Sequence, residues 1–278
     1  MREPAQLRFS VVVPAYNEEA FLPETLRSLR RQNYPGAYEI IVVDNNSTDA
    51  TAEIARSFGV RVVDEPSPGV CQARQRGLAE ASGQIVISVD ADTVYPPDWL
   101  SRIDASFASR PGVVGVAGPC RYRDAPWWIG GFTTLLFGLV NGVYRVTGWL
   151  GYVTATNTAF VKSAFDSYDL NLSQGGDELD LLRRLRKRGR LIWDRRNEVA
   201  TSPRRQDNGL LHTVFVSFLI YYLGAYFLNR IAKRPVLGRA PVFRVERKHR
   251  RFRWGVGVGV AVVLTTTFGV ARYLLGSS

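Results

Sequence analysis

Two aspartates, Asp90 and Asp92, stand out in this 278-residue sequence because their type and spacing suggest chemistry. They are separated by a single residue and follow a β-branched, apolar run. A turn after a buried strand would therefore present both carboxylates together. Two adjacent carboxylates repel each other unless a cation lies between them. Carboxylate and diphosphate oxygens form a ligand set that Mg²⁺ or Mn²⁺ prefers. On its own, such a pair more often belongs to a solvated turn than to a metal site. Its position in the fold therefore decides between these two interpretations.

The elements around this pair alternate between strand-like and helix-like patterns. Apolar runs at residues 9–14, 39–44, 60–63 and 84–90 predict four buried strands, and helical periodicity separates them. This alternation predicts an α/β fold with a mostly parallel, Rossmann-like central sheet and helices on both faces. Further along, residues 177–188 predict a helix, 191–193 a closing strand, and 127–152 a less regular, nearly uncharged segment.

Ligands of parallel sheets bind at the carboxyl ends of the strands, which directs attention to three short polar segments. Pro14 and Ala15 end the first predicted strand and are small enough to let a base or ribose approach the backbone. Asp44 ends the second strand and can accept a hydrogen bond from a base N–H or a ribose hydroxyl. Asp90 and Asp92 end the fourth strand, and this position strengthens the interpretation as a metal–diphosphate site.

The net charge of +11 is unevenly distributed along the chain. Residues 1–182 carry a net charge of −6, whereas residues 183–278 carry +17. Basic residues beside apolar segments are better explained by an anionic lipid surface than by DNA or RNA, and no nucleic-acid recognition motif accompanies them. Cys71 and Cys120 fit no metal-ligand spacing and are interpreted as two free thiols. The first residues contain no signal-peptide core, so we expect a cytosolic location for most of the chain.

The last third of the sequence predicts C-terminal hydrophobic helices joined by a basic linker. We expect a catalytic domain over residues 1–208, an amphipathic or membrane-associated helix over 209–230, a basic linker over 231–254 and a candidate transmembrane helix over 255–275. A spanning helix at 211–229 would put the basic linker on the wrong side of the membrane by the positive-inside rule. That segment is therefore either interfacial or buried against the soluble domain, and both alternatives stay open.

Six ordered motifs between residues 9 and 205 resemble those of family 2 glycosyltransferases, which have the A-type nucleotide-diphospho-sugar transferase fold. They are Val11-Val12-Val13-Pro14-Ala15-Tyr16-Asn17-Glu18-Glu19, Val43-Asp44-Asn45-Asn46-Ser47-Thr48-Asp49, residues 69–83, Val89-Asp90-Ala91-Asp92, Asn157-Thr158-Ala159-Phe160 and residues 175–189.

The resemblance implies a role for each group of donor-side residues. Asp44 would contact the nucleobase, Asp92 would ligate Mg²⁺ or Mn²⁺ directly, and Asp90 would hold the ribose or assist the metal. Arg74 would face the donor. The remaining residues of the nucleotide-sugar pocket would be Pro14, Ala15, Tyr16, Glu18, Asn46 and Ala91.

The general base is less settled, because family members usually carry Glu-Asp where this sequence has Asp177-Glu178. Alignment on the basic residues that follow puts Glu178 in the position of the base, and Asp177 remains an alternative. Either carboxylate can accept the proton of an acceptor hydroxyl. The other one would then cap the helix that begins here.

The resemblance implies a metal-dependent, inverting glycosyltransferase that uses a nucleotide-diphospho-sugar. We expect a lipid-linked or glycan acceptor at the cytoplasmic side of the cell membrane, with the basic C-terminal region on the membrane surface and no nucleic-acid partner. A nucleotidyltransferase of related fold is a second interpretation, although residues 14–19 lack the expected glycine-rich basic loop. A catalytically inactive membrane-associated scaffold is a third.

Overall fold

The computed structural model describes residues 7–170, 172 and 176–203. Residues Met1–Leu170 and Asp177–Arg205 form one compact unit. The segments predicted at 209–230, 231–254 and 255–275 lie outside the described residues. Those expectations therefore stay predictions.

The first half of the described chain alternates strands and helices as the sequence predicts. Its elements are β1 (Phe9–Ala15), α1 (Leu22–Arg30), β2 (Tyr38–Asp44), α2 (Thr51–Ser57), β3 (Arg61–Asp64), α3 (Val70–Glu80) and β4 (Ile85–Ser88). The second half mixes short strands with longer helices. Its elements are β5 (Thr93–Val94), α4 (Trp99–Ala108), β6 (Val113–Ala117), β7 (Cys120–Tyr122), α5 (Trp127–Thr147), β8 (Thr158–Val161), α6 (Gly176–Arg186), β9 (Arg190–Trp193) and β10 (Val199–Thr201).

The central sheet has seven strands in the order β3-β2-β1-β4-β8-β6-β9. Strands β1 to β4 are parallel, β8 is antiparallel to both β4 and β6, and β9 is parallel to β6. The predicted α/β class with a mostly parallel sheet is confirmed. The antiparallel strand β8 was not predicted, because its neighbours come from distant parts of the sequence and leave no local periodicity.

Helices cover both faces of the sheet, as expected for strands that are apolar on both sides. Val11 and Val13 of β1 point into a core shared with α1 and α4, while Val12 points into a second core shared with α3 and α6. Gly77 lets α3 approach β1 closely, because a Cβ at this position would lie 2.1 Å from a methyl group of Val12. This close approach holds α3 directly against the strand that leads to Ala15.

A small second sheet in the order β5-β10-β7 was also not predicted. Strand β10 pairs antiparallel with β5 and parallel with β7, so it joins segments that are far apart in sequence. This sheet follows Asp92 directly.

The segment 127–152, predicted to be less regular, contains the 21-residue helix α5. Its four glycines lower helix propensity, which is why the sequence pattern was weak. Packing of Ile129, Thr133 and Phe137 against the domain stabilises the helix instead.

Candidate functional site

The carboxyl ends of β1, β2 and β4 form one edge of the sheet. Ala15 lies opposite Asp44 in the register of β1 and β2. On the other side of β1, the Val89 N–H donates to the Val12 carbonyl at 3.1 Å, so the chain after β4 leaves the sheet at the same edge. The strand ends that carry Ala15, Asp44 and Asp90 are therefore neighbours.

The loops after β1 and β2 are tied to each other by hydrogen bonds. Asn17 has a left-handed backbone (φ 53°), and its side-chain oxygen accepts the Thr48 N–H at 2.8 Å. The Glu18 N–H donates to the Thr51 hydroxyl at 2.7 Å. An asparagine tolerates this backbone region better than most residues, so the loop can turn sharply here. These bonds lie next to Tyr16, which is half-buried, and restrict its backbone.

Asn45 anchors the loop that leads into α3. Its side-chain amide donates to the carbonyls of Glu65 (2.9 Å) and Ser67 (2.7 Å), and its oxygen accepts the Gly69 N–H at 2.8 Å. Asn46, a predicted donor-site residue, directs its own side-chain amide to the Pro66 carbonyl at 2.6 Å. Asn46 therefore uses this group to shape the loop, and Asn45 sets where α3 begins.

Arg74 of α3 is buried at the centre of an acidic cluster. Its guanidinium makes a close ion pair with Asp177 and lies 3.6 Å from Asp90 and 4.0 Å from Glu178. Burial by itself lowers the pKa of Arg74, but the charges of Asp177, Glu178 and Asp90 outweigh it and raise that pKa above its usual value. Arg74 therefore stays charged and connects the Asp90 segment to the start of α6.

Asp177 and Glu178 differ in what they contact. Asp177 accepts the close hydrogen bond from Arg74, whereas Oε2 of Glu178 is buried with no hydrogen-bond partner among the described residues. Burial raises the pKa of Glu178 well above its usual value, and the neighbouring Asp177 carboxylate adds to the shift. A buried carboxyl with an available oxygen can accept a proton in its ionised form, and a raised pKa makes that ionised form a stronger base.

Asp90 and Asp92 are held by different neighbours. The N–H of Asp90 donates to the Tyr95 hydroxyl at 3.3 Å, and Tyr95 donates in turn to the Thr156 carbonyl at 3.2 Å. The carboxylate of Asp92 is buried and accepts the Thr201 hydroxyl from β10 at 3.3 Å. The small second sheet thus braces Asp92, while the carboxylate of Asp90 faces Arg74.

Within residues 7–170, 172 and 176–203, no three His, Cys, Asp or Glu side chains are arranged to hold a metal ion. Asp90 and Asp92 offer two hard carboxylates, and diphosphate oxygens can supply the remaining ligands that Mg²⁺ or Mn²⁺ requires. The donor set therefore fits a metal that binds together with a diphosphate.

The structure thus brings Arg74, Asp90, Asp177 and Glu178 together, with Asp92 one residue beyond Ala91. Ala91 is buried, and its carbonyl accepts the Thr25 hydroxyl at 2.8 Å. Pro14, Ala15 and Asp44 lie along the neighbouring strand ends. The roles predicted for all of these residues stay predictions.

Sequence reasoning did not find Tyr95, Thr201 and Asn45 as supports of the site. Thr201 ends a short β-branched run, Val199-Ala200-Thr201, whose strand character was the available signal. Tyr95 resembles an ordinary core residue in the sequence. Asn45 lies in the second of the six motifs, but nothing there distinguishes its supporting role from that of an ordinary turn residue. Cys71 and Cys120, predicted to be free thiols, are buried and form no disulfide with each other.

Comparisons with known proteins identify a family and similar folds. The family model described as Glycosyl transferase family 2 matches residues 10–168. An uncharacterized glycosyltransferase of Mycobacterium tuberculosis is 45% identical over 119 residues, which are 42% of this chain and 52% of that protein. The undecaprenyl-phosphate 4-deoxy-4-formamido-L-arabinose transferase of Pseudomonas paraeruginosa is 35% identical over 127 residues, 42% of this chain and 37% of that protein. The matches thus span about half of these relatives or less.

Among solved structures, the mannosyltransferase PcManGT from Pyrobaculum calidifontis, in complex with GDP-Man and Mn²⁺, has a similar fold. The TM-score is 0.65 at 22% sequence identity, and the match covers 86% of this chain and 70% of that one. At this identity the similarity shows the fold alone. It confirms the predicted nucleotide-diphospho-sugar transferase architecture.

Proposed function

The chain belongs to glycosyl transferase family 2, and from that premise we propose that it transfers a sugar from a nucleotide-diphospho-sugar to an acceptor hydroxyl with inversion at the anomeric carbon. One observation carries the proposal: buried Arg74 joins Asp90 at the donor edge of the sheet to Asp177 and Glu178. Such an arrangement holds a donor-binding group and a proton acceptor at one site. It favours this function over a nucleotidyltransferase or an inactive scaffold.

The donor lies, in this proposal, along the edge formed by β1, β2 and β4. Asp44 accepts a hydrogen bond from the nucleobase, while Pro14, Ala15, Tyr16 and Glu18 line the nucleotide pocket. The paired loops after β1 and β2 support this placement, because their mutual hydrogen bonds hold the pocket open before the donor binds. A preformed pocket lowers the entropy that binding must overcome.

Mg²⁺ or Mn²⁺ would be held by Asp92, with Asp90 assisting, and would neutralise the charge that develops on the departing diphosphate. Thr201 supports this assignment by fixing the Asp92 carboxylate with a hydrogen bond at 3.3 Å. The similar mannosyltransferase that was solved with GDP-Man and Mn²⁺ supports it as well. Arg74, whose guanidinium lies 3.6 Å from Asp90, keeps the Asp90 carboxylate oriented.

Glu178 acts as the general base. The acceptor oxygen forms its bond to the anomeric carbon as the bond to the diphosphate breaks, and the acceptor proton passes to Oε2 of Glu178. Asp177 cannot serve as readily, because its carboxylate is engaged by Arg74. The raised pKa of Glu178 makes it a stronger proton acceptor than an exposed glutamate.

The acceptor is, in this proposal, a lipid-linked sugar, a polyprenyl phosphate or a cell-envelope glycan at the cytoplasmic face of the membrane. Support comes from the relative whose name specifies undecaprenyl phosphate and from the charge of +17 over residues 183–278. A basic surface is attracted to anionic lipids, which would keep the enzyme near such an acceptor.

The experiment that tests the function is a panel of nucleotide-sugars incubated with the full chain and Mn²⁺ or Mg²⁺, with release of nucleoside diphosphate as the readout. We expect one donor to give metal-dependent release. Arg76→Ala is a matched control and should leave this release unchanged. Arg76 follows Arg74 by two residues on α3, but it pairs with Glu80 on the surface at 3.1 Å. The proposal is wrong if no donor in a complete panel gives diphosphate or metal-dependent stabilisation.

A further inference from the structure

Helix α5 has two faces with different surroundings. The inner face packs on the domain: Phe137 stacks on Trp193 with ring centroids 5.7 Å apart, and the Tyr144 hydroxyl donates to the Leu191 carbonyl at 3.3 Å. The outer face exposes large apolar side chains, among them Trp127 (88% exposed) and Val146 (87% exposed). Six of the seven large hydrophobic side chains exposed in the described part of the chain lie on α5 or two residues beyond it.

The outer surface of α5 borders a basic cavity at its C-terminal end. Arg145 is the single charged residue of α5. Just beyond the helix, a cavity of about 390 Å³ is lined by Arg110, Arg186 and Arg190 together with Trp149, and by no acidic side chain. The guanidinium of Arg186 lies 4.9 Å from the centre of the Trp149 ring. The surface is therefore apolar along its length and positive at one end.

We propose that this surface, residues 127–149 with the adjoining arginines, is a membrane-contact site for anionic phospholipid. Exposed leucine and valine side chains would enter the boundary between headgroups and acyl chains. Trp127 and Trp149 would lie at headgroup level at the two ends of the helix, where tryptophan is favoured in membranes. Arg110 and Arg190 would bind lipid phosphates, since a guanidinium recognises phosphate oxygens with two hydrogen bonds. The positive charge selects an anionic bilayer over another apolar protein surface.

The packing of α5 decides how it meets the membrane. By length and composition alone it is the one helix in the described ranges that could cross a bilayer. Ile129, Thr133 and Phe137 are buried against the domain, so crossing would remove them from the core. The helix therefore lies in the plane of the interface, with its outer face toward lipid.

The test uses the full chain carrying Leu139→Cys, labelled with an environment-sensitive fluorophore. Cys71 and Cys120 are buried and resist labelling in the folded protein. Glu53→Cys, at an exposed position of α2, is the matched control. With vesicles that contain phosphatidylglycerol, we expect a blue shift at position 139 and quenching by nitroxide-labelled acyl chains, with no change at position 53. Vesicles of phosphatidylcholine alone should give a much smaller shift.

Three outcomes would overturn the proposal. The label at position 139 stays in water although the protein is bound to vesicles, the protein does not bind anionic vesicles at all, or the label is already shielded before lipid is added. The last result would mean that another segment of this chain or a second copy covers α5. The double variant Arg110→Ala/Arg190→Ala should weaken vesicle binding several-fold, whereas Arg56→Ala on α2 should not. Diphosphate release measured without vesicles should be unchanged in both, which separates this proposal from the proposed function.

Discussion

The two halves of the central sheet are built in different ways, and the candidate site lies where they meet. Strands β3, β2, β1 and β4 are parallel and come from consecutive strand–helix units. Strands β8, β6 and β9 come from the later chain and introduce antiparallel pairing next to β4. In the proposed function, the first half presents strand ends to a nucleotide, whereas the second half brings the acidic residues of α6. Arg74 and Asp177, which join the halves, are 103 residues apart in sequence.

The two acidic pairs of the site reflect this difference. Asp90 and Asp92 extend from the regular half, and their carboxylates contact Arg74 and Thr201, respectively. Asp177 and Glu178 share a single buried arginine, and burial together with the neighbouring Asp177 carboxylate raises the pKa of Glu178. We therefore expect substitutions in the first pair to affect donor and metal binding, and substitutions in the second pair to affect proton transfer.

The largest effect is expected for Asp92→Ala. Removing the proposed metal ligand should lower diphosphate release roughly 1000-fold, because metal stabilisation of a leaving group contributes several kcal/mol. Steady-state kinetics with saturating Mn²⁺ measure the change. Asp64→Ala, at the exposed end of β3, is the control and should leave release unchanged. Equal activity in both variants would contradict the assignment of Asp92 as a metal ligand.

Arg74→Met should break the connection between the halves. The change leaves Asp177 buried without its countercharge, so we expect the free energy of unfolding to fall by about 3 kcal/mol. Chemical denaturation measures this value. Arg76→Met on the same helix removes only a surface pair and should change it by about 0.5 kcal/mol or less. Similar values for the two variants would contradict the central position of Arg74.

Glu178→Gln should separate chemistry from donor binding. Loss of a general base lowers the transfer rate roughly 100-fold or more. The donor dissociation constant should change only slightly, because Glu178 lies on the acceptor side in this account. Single-turnover kinetics together with donor titration give both quantities. A variant that loses donor binding in proportion to its rate would place Glu178 on the donor side.

The raised pKa of Glu178 predicts how stability depends on pH. The folded state holds the Glu178 proton more tightly than the unfolded state, whose glutamate pKa is about 4.3. The resulting stabilisation is complete below that value and is lost as pH rises through the folded-state pKa, at up to about 1.4 kcal/mol per pH unit. The Glu178→Gln variant does not show this pH-dependent loss of stability, because glutamine does not titrate. The unfolding free energy of the variant should therefore rise relative to wild type as pH rises above the unfolded-state pKa of about 4.3, and parallel pH profiles would contradict the shift.

The smallest effect is expected for Thr201→Val. This substitution removes the hydrogen bond from the second sheet to the Asp92 carboxylate and should cost about 1 kcal/mol of stability. It should also weaken metal-dependent donor binding modestly, because Asp92 is no longer fixed. Thr154→Val is the control, because Thr154 takes no part in this hydrogen bond. Metal titration by fluorescence would show whether the second sheet influences the site.

Sequence patterns could predict the first half of the fold because its contacts are local. The runs at β1, β2 and β4 and the pair Asp90/Asp92 were visible as periodicity and spacing. The pairing of β10 with β5, which places Thr201 against Asp92, joins residues 109 apart and leaves no such signal. Helix α5 was missed for another reason, since its glycines hide a helix that tertiary packing stabilises. The association of Arg74 with Asp177 likewise required the structure.

The central claim is that the donor and metal side is distinct from the proton-accepting side. Calorimetric titration tests it most directly, with the nucleotide-sugar that most stabilises the protein in the presence of Mn²⁺. The donor should bind Glu178→Gln about as tightly as wild type and should lose its metal-dependent affinity for Asp92→Ala. Equal affinity for both variants, or equal loss in both, would contradict this division of the site.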